Sequence, residues 1–328
     1  MKNKEKNDVQ VMLFEKIQKV LPNNYTLVDE ISERLEISAD AAYRRIRGDK
    51  RIDIDETFAL CKQYGISIDD FVGLAEKNQI RCFYMPLDLN DVNFIVYMNA
   101  LLTNLKDIRK APGSEIIISA SDIPAFSFSL FKDMAFFKVF SWSKSVYSFS
   151  GKYDEFIKGL DTDAFSKCHK EMVEIYQLTP STEIWSANTI DSFLKMLNYH
   201  YETGSFCDNK FPVSICEKLL ELMDTLQLWT ENGTKYPKDT PFKFYVSETG
   251  IENTFVLFKQ KEKTKCAVKL FTINNLIVSD SRFCEEMDKW LRNLSQQATL
   301  ISGASARDRF KFFEAQKEKI RLLIDAFE

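Results

Sequence analysis

The sequence predicts an α+β protein, mostly helical, built in two parts. Three observations carry this. At 328 residues the chain is longer than one hydrophobic core usually supports. The first 77 residues show short apolar stripes at helical spacing, each preceded by a cap pattern. Beyond residue 78, β-rich runs such as Glu115–Ala120 and Phe242–Val246 alternate with longer helical stripes. The expected domains are therefore 1–77, a bundle of five short helices, and 78–328. The second is a larger α+β domain with a largely antiparallel sheet and two long C-terminal helices.

The elements of the first part follow in order. Val9 to Leu21 has the spacing of a helix, with Val9, Leu13 and Ile17 on one face. Pro22-Asn23-Asn24 ends it. Thr26 can cap the next helix, with Asp29 three residues on in the acidic position of a capping box. Ile31 and Leu35 then lie one turn apart and face inward. Glu36-Ile37-Ser38 is a tight turn, and Ser38 can cap a third helix. In that helix Ala42 and Ile46 are spaced to bury, and Gly48 is a stop signal. Asp53 and Glu56 repeat the capping-box pattern for a fourth helix through Tyr64, with Phe58 and Cys61 expected inside. Ser67 to Asp70 starts a fifth, holding Phe71 and Val72.

Ile31, Ser32, Leu35, Ile37, Ser38 and the basic run Arg44-Arg45-Ile46-Arg47-Gly48 resemble the lambda-repressor-like (Cro/XRE) helix-turn-helix family. The resemblance covers roughly the first quarter of the chain. It implies a five-helix bundle that binds double-stranded DNA through the helix after Ser38. The chain departs from the family pattern in two places: Glu36 stands where the turn often holds Gly, and Ala42 and Ile46 stand where the recognition helix usually has a bulky apolar pair. The segment around Ile118 to Trp142 resembles a type of bacterial regulator with this motif and a C-terminal part of no assigned chemistry.

Helix geometry sets out the reading face. With Ala42 and Ile46 inward, Asp40, Tyr43, Arg44 and Arg47 point outward together, and these four are the candidate base-reading residues. Ser38, Arg45, Lys50 and Arg51 are candidates for phosphate contacts, which orient rather than specify. Net charge gives no support of its own. The chain carries a formal −4, and residues 1–75 hold twelve basic against fourteen acidic side chains. The case rests on distribution, since Arg44 to Arg51 contains five basic residues and one acid, Asp49.

The second part begins with a strand, Ile80 to Met85. A helix follows from Asp88 to Lys110, where Ile95, Met98, Leu102 and Leu105 form a ladder that could serve as a dimer seam. Pro124 to Ser150 is dense in aromatics and reads as buried helix. Phe131, Phe137, Phe140 and Trp142 within it are candidate pocket-lining residues for a small-molecule effector, although plain core is the commoner use of such spacing. Further helices are expected near 161–177, 188–203 and 212–229. Phe242–Val246, Thr254–Phe258, Cys266–Thr272 and Leu276–Val278 read as strands, with a charged turn at Lys259–Lys265. Phe283, Met287, Trp290, Leu291 and Leu294 mark one terminal helix; Phe313, Ile320, Leu323, Ile324 and Phe327 mark the other.

Other chemistry finds little footing. The two histidines, His169 and His200, and the seven cysteines lack zinc-site spacing, so no metal is expected. There is no nucleophile elbow and no phosphate-cradling Gly-rich loop, so neither an enzyme nor a cofactor is expected. The start of the chain has no apolar signal-peptide core, and no run is apolar enough to span a bilayer. A cytoplasmic location is expected. The sequence thus points to a DNA-binding transcriptional regulator, working as a homodimer, with a second domain that dimerises or senses a ligand. The alternative is an interaction protein whose N-terminal bundle docks another protein.

Overall fold

A computed structural model describes residues 9–21, 25–68, 80–84, 93–110, 112–261, 263–270 and 273–328, without the side chains of 93–97, 100 and 104. The chain divides into two compact units, Met1–Ile80 and Arg81–Glu328.

Four helices are described in the first unit: α1 (Val9–Val20), α2 (Leu27–Arg34), α3 (Ala39–Ile46) and α4 (Ile54–Tyr64). Local chemistry explains their ends. The Thr26 side chain accepts from the Asp29 N–H, and Ser38 accepts from the Ala41 N–H. Asp53 and Glu56 form a complete capping box, and Gly65 closes α4 in the left-handed conformation. Leu13, Phe14, Ile17, Ile31, Ala42, Leu60 and Cys61 make the small core. Val9 and Phe58, expected inside, are exposed. Phe58 stands two residues before the buried Leu60, so 100° per residue turns it to the opposite side of α4. The expected fifth helix, from Ser67 to Val72, falls mostly outside the described residues, as does the expected boundary at Ala75–Asn78.

The second unit is a mixed sheet covered by helices on both faces. Its elements are β1 (Cys82–Tyr84), α5 (Asn93–Lys110), β2 (Glu115–Ala120), α6 (Ala125–Phe128), α7 (Lys132–Tyr147), α8 (Tyr153–Lys158), α9 (Thr162–Gln177), β3 (Ser181–Ser186), α10 (Asp191–Glu202) and α11 (Lys210–Asn232). They continue with β4 (Thr234–Lys235), β5 (Thr240–Ser247), β6 (Phe255–Lys259), β7 (Thr264–Lys269), β8 (Asn275–Val278), α12 (Ser281–Gln297), β9 (Thr299–Leu300) and α13 (Ala306–Phe327). The strand order is β1-β8-β7-β6-β2-β3-β5-β4, with β9 also on β5.

The expected sheet was largely antiparallel; the observed one is mixed. Its centre, β2-β3-β5, is parallel, because helical crossovers connect these three strands. The flanking pairs β2–β6, β6–β7, β7–β8 and β8–β1 are antiparallel. β2 shows how the faces divide. Ile116, Ile118 and Ala120 enter the main core, and Ile117 points to the other face. There α12 packs through Cys284 and Leu291 against Ile184, Leu257, Cys266 and Val278. α13 lies on the main-core side, against α11. The ladder proposed as a dimer seam is used within the chain: Met98, Leu102 and Leu105 are buried in the main core and α5 packs on α9. The side chain of Ile95 lies outside the described residues.

Candidate functional site

The outward face of α3 is built from three local features. The turn before it is held by Glu36, whose φ of 52° lies in the left-handed region that favours glycine. Ser38 then caps the helix, accepting from the Ala41 N–H at 3.3 Å. Ala42, with no exposed surface, fixes the rotation of α3. Asp40, Tyr43, Arg44 and Arg47 are consequently all exposed. The Arg47 guanidinium sits 5.5 Å from the centre of the Tyr43 ring, one turn back. It also lies 3.8 Å from Asp49, a loose exposed pair that holds it weakly.

The chain after α3 folds back on the helix end. Asp49 and Lys50 donate their N–H groups to the Arg44 carbonyl at 2.8 and 3.1 Å. Gln10, buried on α1, clamps the same stretch. Its Nε2 donates to the Arg45 and Lys50 carbonyls, each at 2.7 Å, and its Oε1 accepts from the Ile52 N–H at 3.1 Å. These bonds fix the backbone that carries Lys50 and Arg51, both exposed. Ser38 is exposed too, with its hydroxyl at the helix start.

Arg45 corrects one expectation. Placed with the phosphate-binding residues by sequence, it is instead buried, three positions after Ala42 and therefore on the same inward side of α3. Its Nη2 lies 2.6 Å from Glu56 Oε1, and its Nε donates to Glu56 Oε2 at 3.1 Å. This two-pronged pair joins α3 to α4 and takes Arg45 out of the basic edge. Glu30 makes a similar bracket, accepting from Arg34 at 3.1 Å and from the Tyr64 hydroxyl at 2.8 Å. Burial and Glu30 together push the Tyr64 hydroxyl up to about 12.

In the second unit, a cavity of about 120 Å³ lies at the end of β2. Its walls are mainly apolar, with Phe126, Phe128, Val139, Phe165 and Met172 among them, and Lys138, Lys269 and His169 supply polar atoms. The four rings expected to line a pocket sit elsewhere. Phe137, Phe140 and Trp142 are fully buried in the core, and Phe131 is partly buried against it. Phe137 stacks edge-on to Phe193, and the Trp142 indole donates to Asn274 at 2.6 Å. The density of aromatics in this run is spent chiefly on packing.

Beside the cavity, Asp122 Oδ2 accepts from both Lys138, at 2.7 Å, and Lys269, at 2.6 Å. Asp122 Oδ1 accepts from the Ile123 N–H at 2.8 Å. Burial alone would raise the Asp122 carboxyl, but the two ammonium groups outweigh it and hold it well below the usual carboxylate range. Burial lowers Lys138, partly offset by Asp122. A separate buried network crosses the parallel strands. Glu183 accepts from the Tyr176 hydroxyl and, at 2.7 Å, from the Trp185 indole. Lys235 donates to the Tyr176 and Thr179 carbonyls, both at 2.8 Å. Burial depresses Lys235 to about 7, with Glu183 acting against the fall.

Sequence reasoning missed both clusters, although one carried a signal. Lys138 stands in the apolar run Ala135-Phe136-Phe137-Lys138-Val139-Phe140, where a buried cation needs an acidic partner. The chain matches no protein-family model, no curated protein and no solved structure.

Proposed function

We propose that this protein is a DNA-binding transcriptional regulator. In this reading α3 enters the major groove, and Asp40, Tyr43, Arg44 and Arg47 meet base edges. Lys50 and Arg51, with Ser38 at the helix start, meet phosphates. The observation that carries the reading is the shared exposure of Tyr43, Arg44 and Arg47 on one face of a capped helix. Guanidinium forks suit guanine O6 and N7. Two copies of the chain pair so that two half-sites are read, since one small module with few cations binds weakly. The second unit then serves pairing or the sensing of an effector. The protein works in the cytoplasm; among the described residues no helix is long and apolar enough to cross a membrane. Selection from random double-stranded DNA tests the reading, with sedimentation on the selected site for the pairing. An enriched motif with two half-sites supports it.

A second reading has its own support. Arg45 is neutralised by Glu56, while Ile54 and Phe58, one turn apart on α4, are 81% and 61% exposed. Under that reading the first unit docks a protein, and the DNA selection yields no motif.

A further inference from the structure

We propose that the cavity at the end of β2 binds a small aromatic hydroxy acid. The inference goes beyond the DNA reading and stands whether or not α3 meets DNA.

Two ammonium groups, Lys138 and Lys269, converge on one carboxylate oxygen, Asp122 Oδ2, while Oδ1 is taken by a backbone N–H. Among the described residues this leaves a surplus positive charge beside an apolar chamber. Lys138 is only 2% exposed, so water screens it poorly. Each ammonium has three donors and gives one to Asp122. A ligand carboxylate would balance the charge and take further donors.

His169 lines the same cavity and is 7% exposed, and among the described residues its Nε2 has no hydrogen-bond partner. Burial lowers the imidazole, and the nearby Ser129 backbone offsets part of the fall. In the neutral ring Nε2 donates or accepts according to the tautomer. Burial favours the neutral ring. A ligand hydroxyl, which both donates and accepts, satisfies Nε2 in either tautomer.

At about 120 Å³ the chamber is comparable to the ~150 Å³ engineered cavity that takes up benzene. Phe126, Phe128 and Phe165 supply ring faces and edges for an aromatic body. One ring carrying a carboxylate and a hydroxyl matches all three features.

Titration calorimetry on the full chain tests this with benzoate, 3- and 4-hydroxybenzoate, phenol and benzamide. A hydroxybenzoate is expected to bind tightest, benzoate next, and the uncharged compounds about tenfold or more weaker. Lys269→Gln is expected to remove the preference for acids, and His169→Phe the preference for the hydroxyl. Lys269 is the safer lysine to change, being partly exposed. If either variant fails to fold, the ligand order on the unchanged protein decides. Equal binding of acids and neutral compounds, or no binding by any of them at millimolar concentration, overturns the proposal.

Discussion

Arg45 and Glu56 form a pair at 2.6 Å that ties α3 to α4 inside the first unit. The arginine's neighbour Arg44 points outward from the same helix. Two adjacent arginines therefore have opposite uses, one for stability and one for the surface.

Their alanine variants should separate cleanly. Arg45→Ala leaves Glu56 without its cationic partner and should cost roughly 2–3 kcal/mol, below the fully buried range because Glu56 keeps some water and the Asp53 N–H. Arg44→Ala touches no such contact and should stay within about 0.5 kcal/mol. Urea unfolding of the full chain, followed by hydrogen exchange of the α3 amides, measures both. Equal effects would mean that the inward placement of Arg45 is wrong.

Glu36 stores strain in the turn before α3, since its φ of 52° is disfavoured for residues with a Cβ. Glu36→Gly should therefore raise stability by about 0.5 kcal/mol, the relief exceeding glycine's added freedom when unfolded. Glu36→Val should lower it by about 1 kcal/mol or more. Thermal melts of both variants check the pair. A glycine variant less stable than the native chain would argue against a left-handed residue there.

His200 gives the second unit an acid-sensitive point. Burial, and then the nearby Lys144, depress its imidazole to about 4, and the ring nitrogens contact the Ser141 and Ser205 hydroxyls. The unfolded chain titrates near 6.5, so between 6.5 and about 4 the unfolded state binds more protons. Stability should be fully present above pH 6.5 and fall as pH drops through that window. A loss on the order of 2 kcal/mol is expected, discounted for screening by nearby water. His200→Gln should flatten this part of the curve. An unchanged slope would assign the acid sensitivity to other groups.

The sequence carried the local features plainly. Caps at Thr26, Ser38 and Asp53 and burial at Ile31 and Ala42 follow from spacing within one or two turns. The β6–β7 hairpin was readable because its charged turn separates two β-rich runs. What was not readable depends on partners far along the chain. β3, Ser-Thr-Glu-Ile-Trp-Ser, looks too polar for a central strand; Glu183 is tolerated there because Tyr176 and Trp185 satisfy it. Asp122 meets a lysine 16 residues away and another 147 away, and no local pattern announces that meeting. The tight turn and basic run were legible, but Arg45's inward turn required Glu56 on the next helix.

If α3 reads DNA through Arg44 and Arg47, removing both guanidinium groups abolishes the choice of site. Double-stranded DNA is selected on the native full chain, then affinities for the selected and scrambled sites are measured for Arg44→Ala/Arg47→Ala. Lys50→Ala/Arg51→Ala is measured alongside. The expected result is loss of site preference in the first double variant, with an unchanged melting temperature, each base contact being worth roughly 1–3 kcal/mol. The second should weaken all sequences alike and flatten the salt dependence. A double arginine variant that still selects the same site with the same affinity would contradict the claim.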